Sequence, residues 1–332
     1  MAKKRPGSTR RPARTPARRT AAKPATVKPG PTSGRAPASG KPSTNKPQWT
    51  APGAISGFPV VGIGASAGGL DAIKALFQEL PADIGMAFIV VQHLDPKHAS
   101  LMTELLGRVT RMPVREATDR MAVERNHVYV IPPNRNLAIL HGKLHLMPRP
   151  EGRGDYKPID FFLQSLAGDL GSQAIGVILS GSGTDGTLGI KAIKAEGGIT
   201  FSQDEESAEY DGMPHSAIAA GYIDFVLRPP ELARELIRIG RHPYISAGPA
   251  AVVSDVLPEV QQHLSKIFVL LRARTGNDFT YYKHTTIKRR IKRRMMLHKI
   301  DRLSDYVKYL NERPAEVEAL FQDILINVTG FF

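Results

Sequence analysis

Cysteine is absent from the 332-residue sequence. This absence excludes disulfide bonds, a thiolate nucleophile and metal sites built on cysteine, and it fits a reducing compartment. Apolar runs long enough to cross a bilayer are absent too, and no signal-peptide core follows the N-terminus. The sequence therefore predicts a soluble, cytoplasmic protein with enough length for one large domain or two.

Acidic residues are absent before Asp71, whereas 13 of the 45 lysines and arginines lie within residues 1–53. This segment is rich in proline, alanine and threonine and has no apolar periodicity, so we expect residues 1–55 to form a disordered basic tail. One interpretation is weak binding to polyanions or acidic lipid surfaces. Because the only signal is amino-acid composition, we favour the other interpretation, a solvated linker. Because the tail supplies nearly all of the formal net charge of +14, that charge does not indicate a nucleic-acid-binding core.

Residues 56–243 alternate short apolar runs with amphipathic stretches. Apolar runs such as PVVGIG, MAFIVVQHL and QAIGVILSG predict buried strands, and stretches such as GGLDAIKALFQEL and PIDFFLQSLAGDL predict amphipathic helices. The segment NLAILHGKLHLM breaks this rhythm and predicts an antiparallel hairpin. Alternation of strands and helices over this length predicts an α/β domain with a doubly wound, mostly parallel sheet.

Three residues that can perform chemistry follow predicted strands of this sheet. Ser66 lies in the glycine-rich turn GASAGG after the first strand, His93 ends the second strand, and Asp185 lies in the later loop GSGTDG. Ligands bind beyond the carboxyl ends of the strands in such sheets, so we expect the three residues to converge on one rim. There the histidine would take the serine proton, the aspartate would orient the imidazole, and backbone N–H groups at the start of the next helix would stabilise an oxyanion.

Other interpretations of these residues remain open. The glycines of VVGIGASAGG partly match a dinucleotide-binding loop, but that site needs an acidic residue at the end of the second strand, where the sequence has Gln92 and His93. Ser66, His93 and Asp185 could each be an ordinary turn, strand-end or capping residue. The segment HLDPKH matches no established ligand spacing, so we predict no metal site. A non-catalytic signalling scaffold or a nucleotide-binding protein is thus the alternative to a serine hydrolase.

Four motifs between residues 58 and 242 resemble the catalytic domain of the chemotaxis-receptor methylesterases, the CheB family. They are GASAGG at 64–69, the pair Gln92 and His93, GSGTDG at 181–186 and GMP at 212–214. The resemblance implies that Ser66, His93 and Asp185 form a triad that hydrolyses glutamate γ-methyl esters on receptor signalling helices through an acyl-enzyme. It also implies deamidation of certain glutamines by the same route, with a methylated chemoreceptor as the partner. We predict no cofactor for this reaction.

The sequence departs from the family pattern at two positions within these motifs. Ala67 stands where the family often has threonine, and Ser182 replaces a methionine whose backbone N–H is associated with the oxyanion hole. A backbone donor survives a change of side chain, so the resemblance still implies the same chemistry, although the shape of the pocket can differ.

Residues 256–332, beyond a predicted linker at 244–255, contain several amphipathic helices. One of them, HTTIKRRIKRRMMLHK, has an apolar residue at every fourth position of one face and is strongly basic elsewhere. Its basic side chains include Lys288, Arg289, Lys292 and Arg293. They favour either a solvated helix face or docking of an acidic partner such as the receptor, and no groove-reading motif supports nucleic-acid binding.

The end of the sequence resembles the N-terminal helical domain of the chemotaxis-receptor methyltransferases, the CheR family. The motif NxTxFF of that family matches Asn327, Thr329, Phe331 and Phe332. In the family the Asn and Thr positions contact S-adenosylmethionine, so Asn327 and Thr329 would form part of a cofactor shell. The sequence stops before the α/β domain that would hold this cofactor. It therefore resembles the front of an esterase–methyltransferase fusion, and we expect no methyl transfer by this chain.

Overall fold

The computed structural model describes residues 57–93, 99–149, 156–246, 258–279 and 281–326. The predicted disordered tail lies outside these ranges, as do most residues of the predicted linker. A sheet and its helices occupy the described chain up to residue 246, and further helices follow from residue 258. No helix within the described ranges is long and apolar enough to cross a membrane.

Strands and helices alternate through the described residues before 247. The strands are β1 (Val60–Ala65), β2 (Ala87–Gln92), β3 (Val114–Glu116), β4 (Val128–Val130), β5 (Arg135–Leu140), β6 (Lys143–Pro148), β7 (Ala174–Ile178), β8 (Ile199–Gln203) and β9 (Phe225–Leu227). The helices are α1 (Gly69–Glu79), α2 (Ala99–Gly107), α3 (Pro158–Leu170), α4 (Thr187–Ala195), α5 (Gly212–Ala219), α6 (Pro229–Gly240) and the short α7 (Pro243–Ser246).

Seven of the strands form one parallel sheet, in the order β3-β4-β2-β1-β7-β8-β9. Strand β1 lies between β2 and β7, and Val60 pairs with both Ala87 and Ala174. Strands β5 and β6 form the predicted antiparallel hairpin outside this sheet. The chain order reverses at β1, which places a crevice beyond the carboxyl ends of β1, β2 and β7. The predicted doubly wound, mostly parallel sheet with a hairpin is confirmed.

Helices cover both faces of the sheet. Helices α1, α2 and α6 pack on one face, and α3, α4, α5 and the hairpin pack on the other. Val61 and Ile63 of β1 belong to the first core, whereas Gly62 and Gly64 lie against α3. A Cβ atom at Gly62 would lie 2.6 Å from Leu163 Cδ2, so this glycine allows the helix to approach the strand closely. Glycines that partly match a nucleotide-binding loop thus have a packing role here.

The C-terminal helices are α8 (Pro258–Thr275), α9 (His284–Leu297), α10 (Leu303–Glu312) and α11 (Pro314–Leu325). They enclose a core of their own, to which all four contribute apolar side chains that include Ile267, Leu271, Ile287, Ile291, Leu310 and Leu320. Proline begins α8 and α11, where the first turn of a helix has no internal acceptor for an N–H. The predicted small all-α domain after the sheet is confirmed.

Two fully buried arginines of α9 join the C-terminal helices to the sheet region. Arg290 donates hydrogen bonds to the carbonyl oxygen of Lys194, at 2.7 Å, and to that of Ala195. These carbonyls lie at the end of α4, where no following turn supplies helical N–H donors and the helix dipole is negative. The Lys194 carbonyl also accepts the N–H of Gly197 at 3.1 Å. A guanidinium is therefore a well-matched donor at this position.

Arg293 has acidic partners within the chain itself. It donates hydrogen bonds to the carboxylates of Asp224 and Asp323, the latter at 2.8 Å, and to the carbonyl of Gly198 at 3.0 Å. The prediction that Arg293 docks an external acidic partner is wrong, because carboxylates of the same chain already enclose its guanidinium.

Lys288, Arg289 and Lys292 differ from Arg293 in that they are only half-buried. Docking of an acidic partner on these three side chains stays a prediction.

Candidate active site

Ser66 lies on a tight turn between β1 and α1. Its N–H donates to the carbonyl of Ser180 at 3.0 Å, and its own carbonyl accepts a hydrogen bond from the N–H of Gly69 at 3.1 Å. Gly68 has a φ of +69°, a conformation that favours glycine. A Cβ atom at Gly181 would lie 2.8 Å from the Cβ of Ser66, so only glycine fits there without displacement. These contacts hold the half-buried Ser66 at the rim of the sheet.

His93 follows β2 and lies beside Ser66. Its Nδ1 is 3.2 Å from Ser66 Oγ, and its Nε2 is 2.8 Å from Asp185 Oδ2. The backbone N–H of His93 donates to Ala65 at the end of β1, which fixes the histidine at the rim. In the tautomer with the proton on Nε2, this N–H donates a hydrogen bond to the carboxylate, and Nδ1 can accept a hydrogen bond from the serine hydroxyl.

Asp185 precedes α4, and its side chain is 5% exposed. Besides His93, its carboxylate accepts hydrogen bonds from the N–H groups of Ile159 at 3.1 Å, Asp160 at 2.8 Å and Gly186 at 2.8 Å. Ile159 and Asp160 belong to the first turn of α3, whose N–H groups have no acceptor inside the helix and whose dipole is positive at this end. Peptide groups therefore stabilise the negative charge of Asp185 and fix its two oxygens.

The structure thus brings the three predicted site residues into one hydrogen-bonded chain from Ser66 through His93 to Asp185. The side chain of His93 is 30% exposed, so a substrate can reach the serine and the imidazole while the carboxylate stays buried. A hydroxyl, an imidazole and a buried carboxylate in this order can carry out nucleophilic acyl transfer.

Two polar side chains that the sequence analysis gave no role support the turn at Ser66. The Gln92 amide donates to the Ser66 carbonyl at 3.2 Å, and the Ser180 hydroxyl donates to the Ala67 carbonyl at 2.9 Å. Ser180 is itself held by Gln203, whose side-chain oxygen accepts its N–H at 2.9 Å. The position of Gln92 at the end of a buried strand is a sequence signal that could have revealed it, whereas the role of Ser180 depends on strand pairing.

Backbone donors for an oxyanion lie beside Ser66. The N–H of Ser66 itself is bonded to Ser180 and cannot serve. Within the part of the chain that the structure describes, the N–H groups of Ala67 and Ser182 have no protein acceptor. Ala67 follows the serine, and Ser182 follows Gly181, whose backbone packs against the serine. Both N–H groups are therefore candidates for an oxyanion hole.

The sequence predicts no metal site and only a fragment of an S-adenosylmethionine site. The described residues contain no group of three or more histidine, aspartate or glutamate side chains arranged to hold a metal ion. The segment that contains Asp95 and His98 lies outside the described residues, as do Asn327 and Thr329, the predicted fragment of an S-adenosylmethionine shell.

Two family models match the chain. The family described as CheB methylesterase matches residues 61–236, and the all-alpha domain of CheR methyltransferase matches residues 262–325. The crystal structure of the Thermotoga maritima CheB methylesterase catalytic domain superimposes with a TM-score of 0.52 at 31% identity, over 55% of this chain and 98% of that one. The sheet region therefore has the fold of this catalytic domain.

Several relatives match half or more of the chain. A 104.1 kDa protein of Rhodobacter capsulatus is 37% identical over 250 residues, which are 70% of this chain and 26% of that protein. Protein-glutamate methylesterase/protein-glutamine glutaminase 3 of Burkholderia orbicola is 38% identical over 179 residues, 54% of this chain and 53% of the relative. A Leptospira interrogans protein described as a putative protein-glutamate methylesterase/protein-glutamine glutaminase is 32% identical over 186 residues, 56% of this chain and 96% of the relative. The chain thus spans about a quarter of the first relative's length and about half of the second's.

Proposed function

Because this chain belongs to the CheB methylesterase family, we propose that it hydrolyses glutamate γ-methyl esters on chemoreceptor signalling helices, with Ser66 as the nucleophile. The observation that carries the proposal is the hydrogen-bonded chain from Ser66 Oγ through His93 to Asp185. The Burkholderia relative, a protein-glutamate methylesterase/protein-glutamine glutaminase, supports this substrate class.

In the proposed acylation step, Ser66 Oγ attacks the ester carbonyl carbon while His93 Nδ1 takes the serine proton. Asp185 holds the other ring nitrogen and stabilises the imidazolium that forms. The carbonyl oxygen becomes an oxyanion, which accepts hydrogen bonds from the N–H groups of Ala67 and Ser182. When the tetrahedral intermediate collapses, the bond to the methoxy group breaks, and His93 returns the proton so that methanol leaves. The glutamyl group remains esterified to Ser66.

Deacylation repeats these roles with water as the nucleophile. His93 takes a proton from water, the hydroxide attacks the acyl carbon, and the bond to Ser66 Oγ breaks as the proton returns to the serine. The products are a glutamate side chain and free enzyme. A glutamine amide can follow the same path with ammonia in place of methanol, so we also propose deamidation as a second reaction of the site.

The proposal is tested by measuring methanol release from methyl-esterified chemoreceptor fragments. Replacing Ser66 with alanine removes the nucleophile, so we expect a loss of about 10³-fold or more. Ser182→Ala is the matched control, because it removes a nearby hydroxyl and keeps the backbone N–H; its rate should stay within about threefold of the wild-type rate. Equal methanol release by wild-type protein and Ser66→Ala would contradict the proposal.

A further inference from the structure

Two helices exchange their N-terminal caps beside the candidate active site. Helix α3 has no capping hydrogen bond from its own N-cap residue, Lys157, and α4 has none from Gly186. Instead, Asp185, just before α4, accepts N–H groups from the first turn of α3. In return, Asp160 in that turn accepts the N–H of Gly189 in the first turn of α4, at 2.8 Å from Oδ1. Each helix start thus donates N–H groups to an aspartate that lies at the start of the other helix.

This exchange forms a closed loop of contacts around Asp185. The peptide groups of α3 hold the Asp185 carboxylate directly, and Asp160 ties the helix that begins two residues after Asp185 to the same turn of α3. Gly189 makes the approach possible, since a Cβ atom there would collide with the Cβ atom of Leu163. A displacement of Asp185 relative to α3 would therefore break bonds at both helix starts.

We propose that Asp160 is a positioning residue for the triad. Through the N-terminus of α4 it fixes Asp185, and through Asp185 it fixes the His93 ring against Ser66. Asp160 does not touch the histidine or the serine, so its role is to position and not to react. This inference rests on the proposed triad and extends it by one residue that lies outside the four motifs.

The surroundings of Asp160 suit a carboxyl group that shares the site with a second carboxylate. Asp160 is 4% exposed, and its Oδ2 is buried with no hydrogen-bond partner among the described residues. Burial and, to a smaller extent, the charge of Asp185 raise the pKa of Asp160, while the N–H of Gly189 and the charge of Lys157 act in the opposite direction. Within the described chain only Oδ1 of Asp160 has a hydrogen-bond partner, so a side chain that keeps one acceptor oxygen can preserve the bond from Gly189, whereas alanine cannot.

The test compares three variants of the full chain: Asp160→Ala, Asp160→Asn and Asp169→Ala. Asp169 is the matched control, because it lies near the other end of α3 and also accepts two backbone N–H groups, those of His141 at 2.6 Å and Gly142 at 3.0 Å. Two readouts are used: methanol release, and the rate at which a fluorophosphonate labels Ser66, measured across pH. Labelling needs an activated serine but no methylated substrate.

We expect Asp160→Ala to lower the labelling rate and kcat by about 10- to 100-fold with KM nearly unchanged, because a misplaced triad member slows the reaction without weakening binding. The acid limb of the labelling profile should move to lower pH, since a displaced Asp185 stabilises the imidazolium less. Asp160→Asn should stay within about fivefold of wild type because it keeps the acceptor, and Asp169→Ala should leave both readouts unchanged even where it lowers stability.

The inference is overturned if Asp160→Ala labels at the wild-type rate with an unchanged profile. It is also overturned if Asp169→Ala loses as much activity as Asp160→Ala, because the effect is then one of general stability. Wild-type protein that labels at Ser66 but releases no methanol would contradict the proposed substrate and leave the inference intact. Wild-type protein that does not label at all would overturn both.

Discussion

The two ends of helix α4 hold charged side chains in contrasting ways. At its start, the carboxylate of Asp185 is bound by peptide N–H groups and by one imidazole that is 30% exposed. At its end, the guanidinium of Arg290 is enclosed by carbonyl oxygens, and the neighbouring Arg293 and Asp224 side chains are both 0% exposed. The first arrangement leaves an imidazole accessible to solvent. The second holds fixed charges and suits a structural contact.

The charges at the end of α4 depend on each other because none of them is solvated. Burial and the nearby charges of Arg293 and Arg289 lower the pKa of Arg290 to about 10, so that it remains charged at neutral pH. Burial would lower the pKa of Arg293 as well, but the carboxylates of Asp224 and Asp323 reverse the effect and raise it. Such a cluster adds little net stability compared with apolar residues, yet removing one member leaves the others buried without a partner.

The largest stability effect should therefore come from Arg293. Replacing Arg293 with methionine leaves Asp224 and Asp323 without their shared guanidinium, so we expect a loss of about 3–5 kcal/mol in the free energy of unfolding. The fraction that remains folded should keep its methanol-release activity within about threefold, because the triad lies at the other end of α4. Urea unfolding and activity on the same samples measure both.

Arg302→Met is the control for this prediction. The Arg302 side chain is 79% exposed, and its Nε lies as far as 4.0 Å from Asp305 Oδ2, so this ion pair is weak. Its replacement should change stability by less than about 0.5 kcal/mol. Suppose instead that Arg293→Met were as stable as the wild-type protein but had lost its activity. The charges at the end of α4 would then affect the reaction, and the contrast between the two ends of the helix would be wrong.

A smaller effect is expected from pH, and it belongs to the helical domain. Glu316 is 5% exposed and accepts hydrogen bonds from His298 at 2.7 Å, Arg294 at 2.8 Å and the Tyr306 hydroxyl at 2.8 Å. Burial alone would raise the pKa of Glu316, but the hydrogen bonds and charges of His298 and Arg294 outweigh it and lower that pKa to about 2. Because the folded-state pKa is depressed, the contribution to stability is complete above the unfolded-state value and is lost as pH falls toward 2.

We expect Glu316 to make the wild-type protein lose about 2–3 kcal/mol of stability between pH 5 and pH 2.5. The variant Glu316→Gln cannot titrate at this position and should lose correspondingly less over the same range. Urea unfolding at several pH values gives the two curves. Parallel curves for wild type and Glu316→Gln would show that the carboxylate contributes nothing to acid sensitivity.

Local patterns were sufficient to predict much of the fold and the residues of the candidate site. The apolar runs marked the strands, and the ends of β1, β2 and β7 placed Ser66, His93 and Asp185 on one rim because parallel strands end at the same edge. The predicted residues do lie together, while their catalytic roles stay predictions. The sequence could not show that Gly62 faces α3, because that depends on which helix covers β1.

Contacts between distant segments could not be predicted. The basic stretch of α9 predicts one apolar face, but nothing local indicates that Arg293 meets a carboxylate 69 residues away. The exchanged caps of Asp160 and Asp185 likewise depend on how α3 packs against α4, since the two aspartates are 25 residues apart. Short-range patterns specify the elements, and the partners of buried charges are set only when the elements pack.

Mass spectrometry of rapidly quenched reactions tests whether Ser66 forms a covalent acyl intermediate. A peptide that carries the γ-p-nitrophenyl ester of glutamate should acylate Ser66 faster than the methyl ester does, because nitrophenolate is the better leaving group. The acyl intermediate should therefore accumulate. We expect a burst of about one nitrophenol per chain, with the glutamyl mass on the peptide that contains Ser66. A burst that persists in Ser66→Ala, or an adduct on another residue, would contradict it.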